Sequence, residues 1–159
     1  MINVLLEEHQ QILAALIKHR VSFILIGGYA VIHYGYERTT GDMDIWLQLS
    51  NENRDKLVSA LADFGISDEG LDLIKQTDFT SPLEVIHIGD PPRRIDFITL
   101  ISNVKFEDAI NNINYFSLED MEVPVIHYND LILSKHTSIR LKDKADIEEL
   151  KRINKYRNE

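Results

Sequence analysis

The feature that most constrains this chain is a short apolar run broken by two glycines and followed by paired aspartates, "FILIGGYAVIHYGYERTTGDMDIWLQL", Phe23 to Leu49. The β-rich residues 21–26 stop at Gly27-Gly28, which predicts a strand and a tight turn, because glycine takes positive φ and lets backbone approach other groups closely. "DMDIWLQL" (42–49) reads as a second strand. Along a strand, residues i and i+2 project to one face, about 6.5–7 Å apart. Asp42 and Asp44 are therefore expected to project together, with Met43 and Ile45 turned into the core. Two carboxylates so placed repel each other and lose solvation, a cost that a cation between them relieves. A solvated strand edge, or a cap satisfied by backbone N–H groups, is the plainer account of the same pair.

The remaining pattern is mixed. Residues 3–19 read as an amphipathic helix whose wide apolar face holds Leu5, Leu6, Ile12, Leu13, Leu16 and Ile17. "YAVIHYG" (29–35) predicts a short helix closed by Gly35. Ser50 is placed to cap a helix carrying Leu57, Ala60, Leu61 and Phe64 at i, i+3, i+4, i+7, with Gly65 just past its end. A short helix is expected over 69–77. "LEVIHIG" (83–89) and "RRIDFITL" (93–100), joined by "DPP", predict an antiparallel pair. A helix near 106–112, a strand near 123–128 and two C-terminal helices, about 129–141 and 144–156, complete the reading. The expected fold class is α+β, a small mixed sheet flanked by helices. All 159 residues are expected to form a single domain, with a catalytic core over about 21–100.

Composition narrows the function. There are no cysteines, so a disulfide frame and thiolate metal sites are excluded. Apolar runs stay far short of the roughly 20 residues of a membrane span, and "MINVLLEEHQQ" lacks the basic start of a signal peptide, so a cytoplasmic protein without membrane partners is expected. A net charge of −9 argues against coating nucleic acid by charge alone. Even so, 8 of the 17 Lys and Arg residues lie between Lys135 and Arg157.

A third carboxylate sits in the later strand. Asp96, in "RRIDFIT", is flanked by Ile95 and Phe97 and is expensive to bury there without a partner. Alone, it also fits a structural ion pair with Arg93, Arg94 or a lysine. With Asp42 and Asp44 it suits Mg²⁺, a hard cation that prefers oxygen ligands. Two such ions about 3.5–4 Å apart serve in-line phosphoryl displacement. Gly27-Gly28, opening a helix, would present backbone N–H groups to an anion. Arg38, an always-charged fork, suits phosphate oxygens. Lys135 also reads as a lysine snorkelling from a core edge, and Asp143 as the N-cap of the last helix with Asp146 three residues on. Trp46 reads as core packing, and His33, His87, His127 and His136 show no metal-ligand spacing.

Gly27-Gly28, thirteen intervening residues, then Asp42-Met43-Asp44-Ile45 resembles the signature of the nucleotidyltransferase superfamily with the DNA polymerase β-like fold. By that resemblance Asp42, Asp44 and Asp96 are the catalytic and metal-binding residues, with two Mg²⁺ ions or Mn²⁺ in their place. "YERTTGDMDIWL" is similar to minimal nucleotidyltransferases of bacterial abortive-infection and toxin–antitoxin pairs, in which an Arg and a Ser or Thr precede the carboxylates; Arg38, Thr39 and Thr40 match. "LSKHTSIRLKDKADIEELKRI" resembles that subgroup's last motif, implying that Lys135 contacts the nucleotide phosphates and Asp143 sits at the pocket rim. The nucleotide-binding set implied is Gly27, Gly28, Arg38, Thr40, Lys135 and Asp143. Tyr29 departs from the small residue common after the glycines, which implies a reshaped phosphate cradle. The implied activity is transfer of a nucleoside monophosphate from an NTP to an acceptor hydroxyl: an RNA 3′ end in preference to a protein or small molecule, with an antitoxin protein as possible partner. The alternative is a catalytically inactive module of the same fold that binds nucleotide or a partner. A nucleotide-sugar glycosyltransferase is set aside, since its two halves need more chain.

Overall fold

The computed structural model describes residues 6–38 and 40–157, so Thr39 and residues 3–5 of the expected first helix lie outside them. Chain order is α1 (Glu7–Lys18), β1 (Phe23–Ile26), α2 (Gly27–His33), β2 (Met43–Leu47), α3 (Asn51–Phe64), α4 (Asp68–Lys75), β3 (Ile86–Ile88), β4 (Ile95–Ile98), α5 (Phe106–Ala109), β5 (Asn114–Leu118), β6 (Met121–Val125), α6 (Tyr128–Lys135) and α7 (Leu141–Arg157). The fold is α+β, with seven helices and a six-stranded mixed sheet among the described residues.

Strand order in the sheet is β3-β4-β2-β1-β6-β5. β1 runs antiparallel to β2 and parallel to β6, while β4 runs parallel to β2 and antiparallel to β3. β1 lies in the middle, and its four residues Phe-Ile-Leu-Ile are all buried. A strand covered on both faces reads as a continuous apolar run rather than an alternation.

The helices follow their periodicity. On α1 the buried residues include His9, Ile12, Leu13 and Leu16, one face at i, i+3, i+4, i+7. The Ser50 hydroxyl accepts from the Asn53 N–H at 3.0 Å, and Gly65 closes α3 with φ of 106°. Leu57 and Leu61 of α3 are fully buried, and each such leucine stabilises by about 1.5–3 kcal/mol. Asn53, also buried, donates from Nδ2 to the carbonyls of Ser22 and Gln48 and accepts the Ser22 N–H at its Oδ1. One side chain thus ties α3 to the start of β1 and the end of β2, fixing the two strands that carry the glycine turn and the acidic pair.

Several boundaries differ from the sequence reading. The second strand begins at Met43, leaving Asp42 just outside it. The helix after β1 starts at Gly27 itself, two residues earlier than expected. α7 starts at Leu141, so Asp143 lies in its first turn and is not its N-cap. β5 has no counterpart in the expectations. Its sequence NYFSL is mostly exposed, and the turn to β6 passes through Glu119 at φ of 52° with no glycine to announce it. None of the described helices is long and apolar enough to cross a membrane.

Candidate active site

Strand register sets one row of residues across four strands. Ile26 pairs with Asp44, Asp44 with Asp96, and Asp96 with His87. Directly opposed residues on neighbouring strands project to the same face, so Asp44 and Asp96 stand side by side. Asp96 is 7% exposed. Asp42 joins them from the residue before β2: its Oδ1 accepts the Arg94 N–H at 3.0 Å, while the Met43 N–H donates to the Arg94 carbonyl at 2.8 Å. Gly41 makes this approach possible, because a Cβ there would lie 2.9 Å from the Pro92 carbonyl carbon and closer still to its oxygen.

Gly27 does for Asp44 what Gly41 does for Asp42. Its φ is 69°, and a Cβ would sit 3.0 Å from Cβ and Cγ of Asp44 and closer still to Oδ2. Only glycine lets the turn lie flat against the carboxylate. Gly28 is bare for a related reason: a Cβ there would crowd Thr40 and come within 3.2 Å of Arg38 Nη2. The predicted Gly27, Gly28, Arg38 and Thr40 are therefore adjacent to one another and to Asp44.

The charges are distributed unevenly. Arg94 Nη2 donates to Asp96 Oδ2 at 3.2 Å, Nε lies 2.9 Å from Asp96 Oδ1 without hydrogen-bond alignment, and Nη2 also lies 3.9 Å from Asp42 Oδ2. His87 Nδ1 approaches Asp96 Oδ1 at 2.6 Å. Asp44 has no cation of its own within ion-pair distance among the described residues. Burial, then the charges of Asp96 and Asp42 and a hydrogen bond shared with Asp96, push its carboxyl up to about 6, against a weaker opposing pull from Lys142.

A second cluster holds the remaining predicted residues. Lys135 Nζ lies 2.8 Å from Asp143 Oδ1 and 3.2 Å from Asp146 Oδ2. Arg38 Nε lies 3.2 Å from Asp146 Oδ1, and Asp146 is 1% exposed. Burial pushes the Asp143 carboxyl up, but hydrogen bonds from Lys135 and Ser138 and the charges of Lys135 and Arg140 outweigh it and leave it below the usual range. Two cations and two carboxylates thus lock α6, α7 and the segment before β2 together. Arg38 is shared, since its Nη2, which also bonds Asp146, lies 3.2 Å from where a Cβ on Gly28 would stand.

Whether a metal suits these residues turns on their donor set. Three carboxylates supply hard oxygens, and the Asp44 carboxyl is raised first by burial and then by the charges of Asp96 and Asp42, costs that a divalent cation would offset. That donor chemistry fits magnesium. As they stand, however, no three His, Asp or Glu side chains among the described residues gather into a group that could hold a metal ion. Asp42 gives one oxygen to the Arg94 N–H, and both oxygens of Asp96 are engaged by Arg94 and His87.

The structure brings to the site residues that the sequence reading leaves outside it. His87, assigned no chemistry, faces Asp96 through the β3–β4 register. Arg94 shares Asp96's face at i−2 and realises the structural ion pair held open for it. Asp146 is the shared anchor of Arg38 and Lys135. The Tyr29 side chain turns into the core: it is 3% exposed, and its hydroxyl lies 2.9 Å from His9 Nδ1. His9 Nε2 lies 3.1 Å from the Arg93 carbonyl, so that nitrogen carries the proton and Nδ1 accepts from Tyr29. Trp46 is core, 1% exposed and edge-on to Phe106 with ring centroids 5.2 Å apart.

No curated protein matches the chain. Residues 5–159 match the model of a family described as "Nucleotidyl transferase of unknown function (DUF2204)". With nearly the whole chain matched and the glycine turn set against the acidic row, the chain belongs to this family of nucleotidyl transferases.

Proposed function

We propose that the chain is a magnesium-dependent enzyme that moves a nucleoside monophosphate from an NTP to an acceptor hydroxyl. One observation carries the reading: Asp44 and Asp96 stand opposed on parallel strands, and Gly27 presses its bare backbone against Asp44. Charge repulsion at that point is costly to the fold, and it makes sense where a cation and a polyphosphate are to be held.

In this reading Asp42, Asp44 and Asp96 hold the metal, two Mg²⁺ ions or Mn²⁺ in their place. Magnesium, when bound, neutralises charge on the reacting phosphate and makes a bound oxygen easier to deprotonate. The Gly27-Gly28 turn and Thr40 seat the triphosphate, with Arg38 and Lys135 as its cationic side and Asp143 setting the lysine's direction. The acceptor oxygen bonds to the α-phosphorus, the bond from that phosphorus to the bridging oxygen breaks, and pyrophosphate leaves. Asp96 takes the acceptor's proton. Most of the rate enhancement is electrostatic and positional.

The acceptor we favour is an RNA 3′ end, ahead of a protein hydroxyl or a small molecule. The motif likeness to toxin-type transferases supports it, and with it an antitoxin protein as partner and a cytoplasmic setting. Given the net charge of −9, RNA would be held locally by α7, whose six Lys and Arg outnumber its four acidic residues. Incubating the protein with each α-labelled NTP and total RNA tests the reading. Asp44→Asn and Asp96→Asn should each lower label transfer by about 10²-fold or more, the scale for removing one preorganised electrostatic group. Wild-type rates in both variants would refute the assignment.

A second reading has its own support. The guanidinium of Arg94 beside Asp96 neutralises a carboxylate that an active enzyme needs, as a nucleotide- or partner-binding module without activity could afford to do. Tight NTP binding by calorimetry, with no pyrophosphate released, would favour that module.

A further inference from the structure

Arg94 and the acid cluster form a closed arrangement that needs no metal. The guanidinium contacts both oxygens of Asp96 and reaches Oδ2 of Asp42, oxygens that a divalent cation would also require. We infer that Arg94 is a built-in counter-ion, holding these carboxylates when no metal is present and exchanged for the divalent cation when one binds. The inference rests on the reading of Asp42, Asp44 and Asp96 as metal ligands.

Three features separate this from an ordinary structural ion pair. First, the Arg94 backbone is fixed independently of its side chain. Its N–H donates to Asp42 Oδ1 and its carbonyl accepts the Met43 N–H, so the guanidinium can leave without unravelling the entrance to β2. Second, the side chain has room to go. It is 32% exposed, whereas the Asp96 side chain it grips is 11% exposed. Third, the neighbouring arginine points its charge elsewhere, with Arg93 Nη1 lying 3.8 Å from Glu8 Oε1 on α1. Binding is then an exchange of one cation for another, and no open cage precedes it.

Exchange has a definite sign. A resident positive charge repels the incoming ion and occupies its ligands, so removing it should tighten metal binding. If Arg94 instead aligns Asp96 for the metal, removing it should weaken binding. Mn²⁺ is the probe, with free Mn²⁺ measured by electron paramagnetic resonance against the full-length chain. Arg94→Gln should bind Mn²⁺ about tenfold more tightly than wild type, or tighter still, each tenfold corresponding to about 1.4 kcal/mol. In EDTA the variant should melt below wild type, and Mn²⁺ should raise its melting temperature by more than it raises the wild type's. Binding to Arg94→Gln that is equal or weaker, with wild-type binding intact, overturns the exchange alone. No binding by either protein overturns the exchange together with the metal-ligand reading. Should Arg94→Gln fail to fold even with Mn²⁺, Arg94→Met decides, since it removes the charge but keeps the apolar stem of the side chain. Affinity above wild type supports the exchange, and affinity at or below wild type overturns it.

Discussion

Asp44 carries its negative charge at neutral pH against the preference of its surroundings, and replacing it with asparagine should stabilise the metal-free protein. Its carboxyl is pushed from the ordinary 3.8 up to about 6. A raised folded-state value in an acid means that the folded chain holds the proton more tightly than the unfolded chain. Stability from this group is therefore fully present below the unfolded value, declines as pH rises through the window between the two, and is lost above the folded value. A tenfold difference in proton affinity is worth about 1.4 kcal/mol, and solvent screens a partly exposed group, so the ionised carboxylate costs about 2–3 kcal/mol at neutral pH. In a chain of this size that is a melting difference of about 5–10 °C. The assay is thermal denaturation by circular dichroism in EDTA, for wild type and Asp44→Asn, from about pH 4 to about pH 8. The two melting curves should nearly coincide at the acid end, diverge as pH rises from 3.8 to about 6, and stay apart by a constant amount above that, with the variant higher. Curves that run parallel across the range would refute the reasoning, because they would show that Asp44 does not titrate differently in the folded chain.

Gly27→Ala should lose both stability and label transfer: the positive φ strains any L side chain, and the new methyl group displaces the Asp44 carboxylate, at a cost of about 1–3 kcal/mol or more, readable by thermal denaturation. Asp146→Ala should cost about 3–5 kcal/mol in denaturant unfolding, since it leaves Arg38 and Lys135 without their shared buried acid.

Much of this arrangement is legible in the chain before any coordinates. The apolar FILI run, the glycines after it and the spacing to Asp42 and Asp44 give the central strands and the turn, because a fully covered strand and a close backbone approach both leave local marks. Asp96 stands out for a similar reason, an acid between Ile95 and Phe97. What stays hidden depends on register and on distant segments. The His87 contact with Asp96 needs the exact alignment of β3 on β4, and the link from Asp146 to Arg38 spans over a hundred residues. β5 is hard to see because an exposed edge strand has little apolar alternation to show and its turn uses Glu119 rather than glycine. The direction of the Tyr29 side chain is hidden because its partner, His9, comes from a helix twenty residues earlier.

The sole tryptophan of the chain lies in the same strand as Asp44, two positions on, sealed from water and edge-on to Phe106. The native protein therefore contains its own optical reporter beside the acidic row. Its emission should be blue-shifted while β2 is packed and should move to the red as solvent reaches the indole. Divalent ions or nucleotides that shift the neighbouring carboxylates can thus be followed by titration in unlabelled protein, without a dye or an engineered probe.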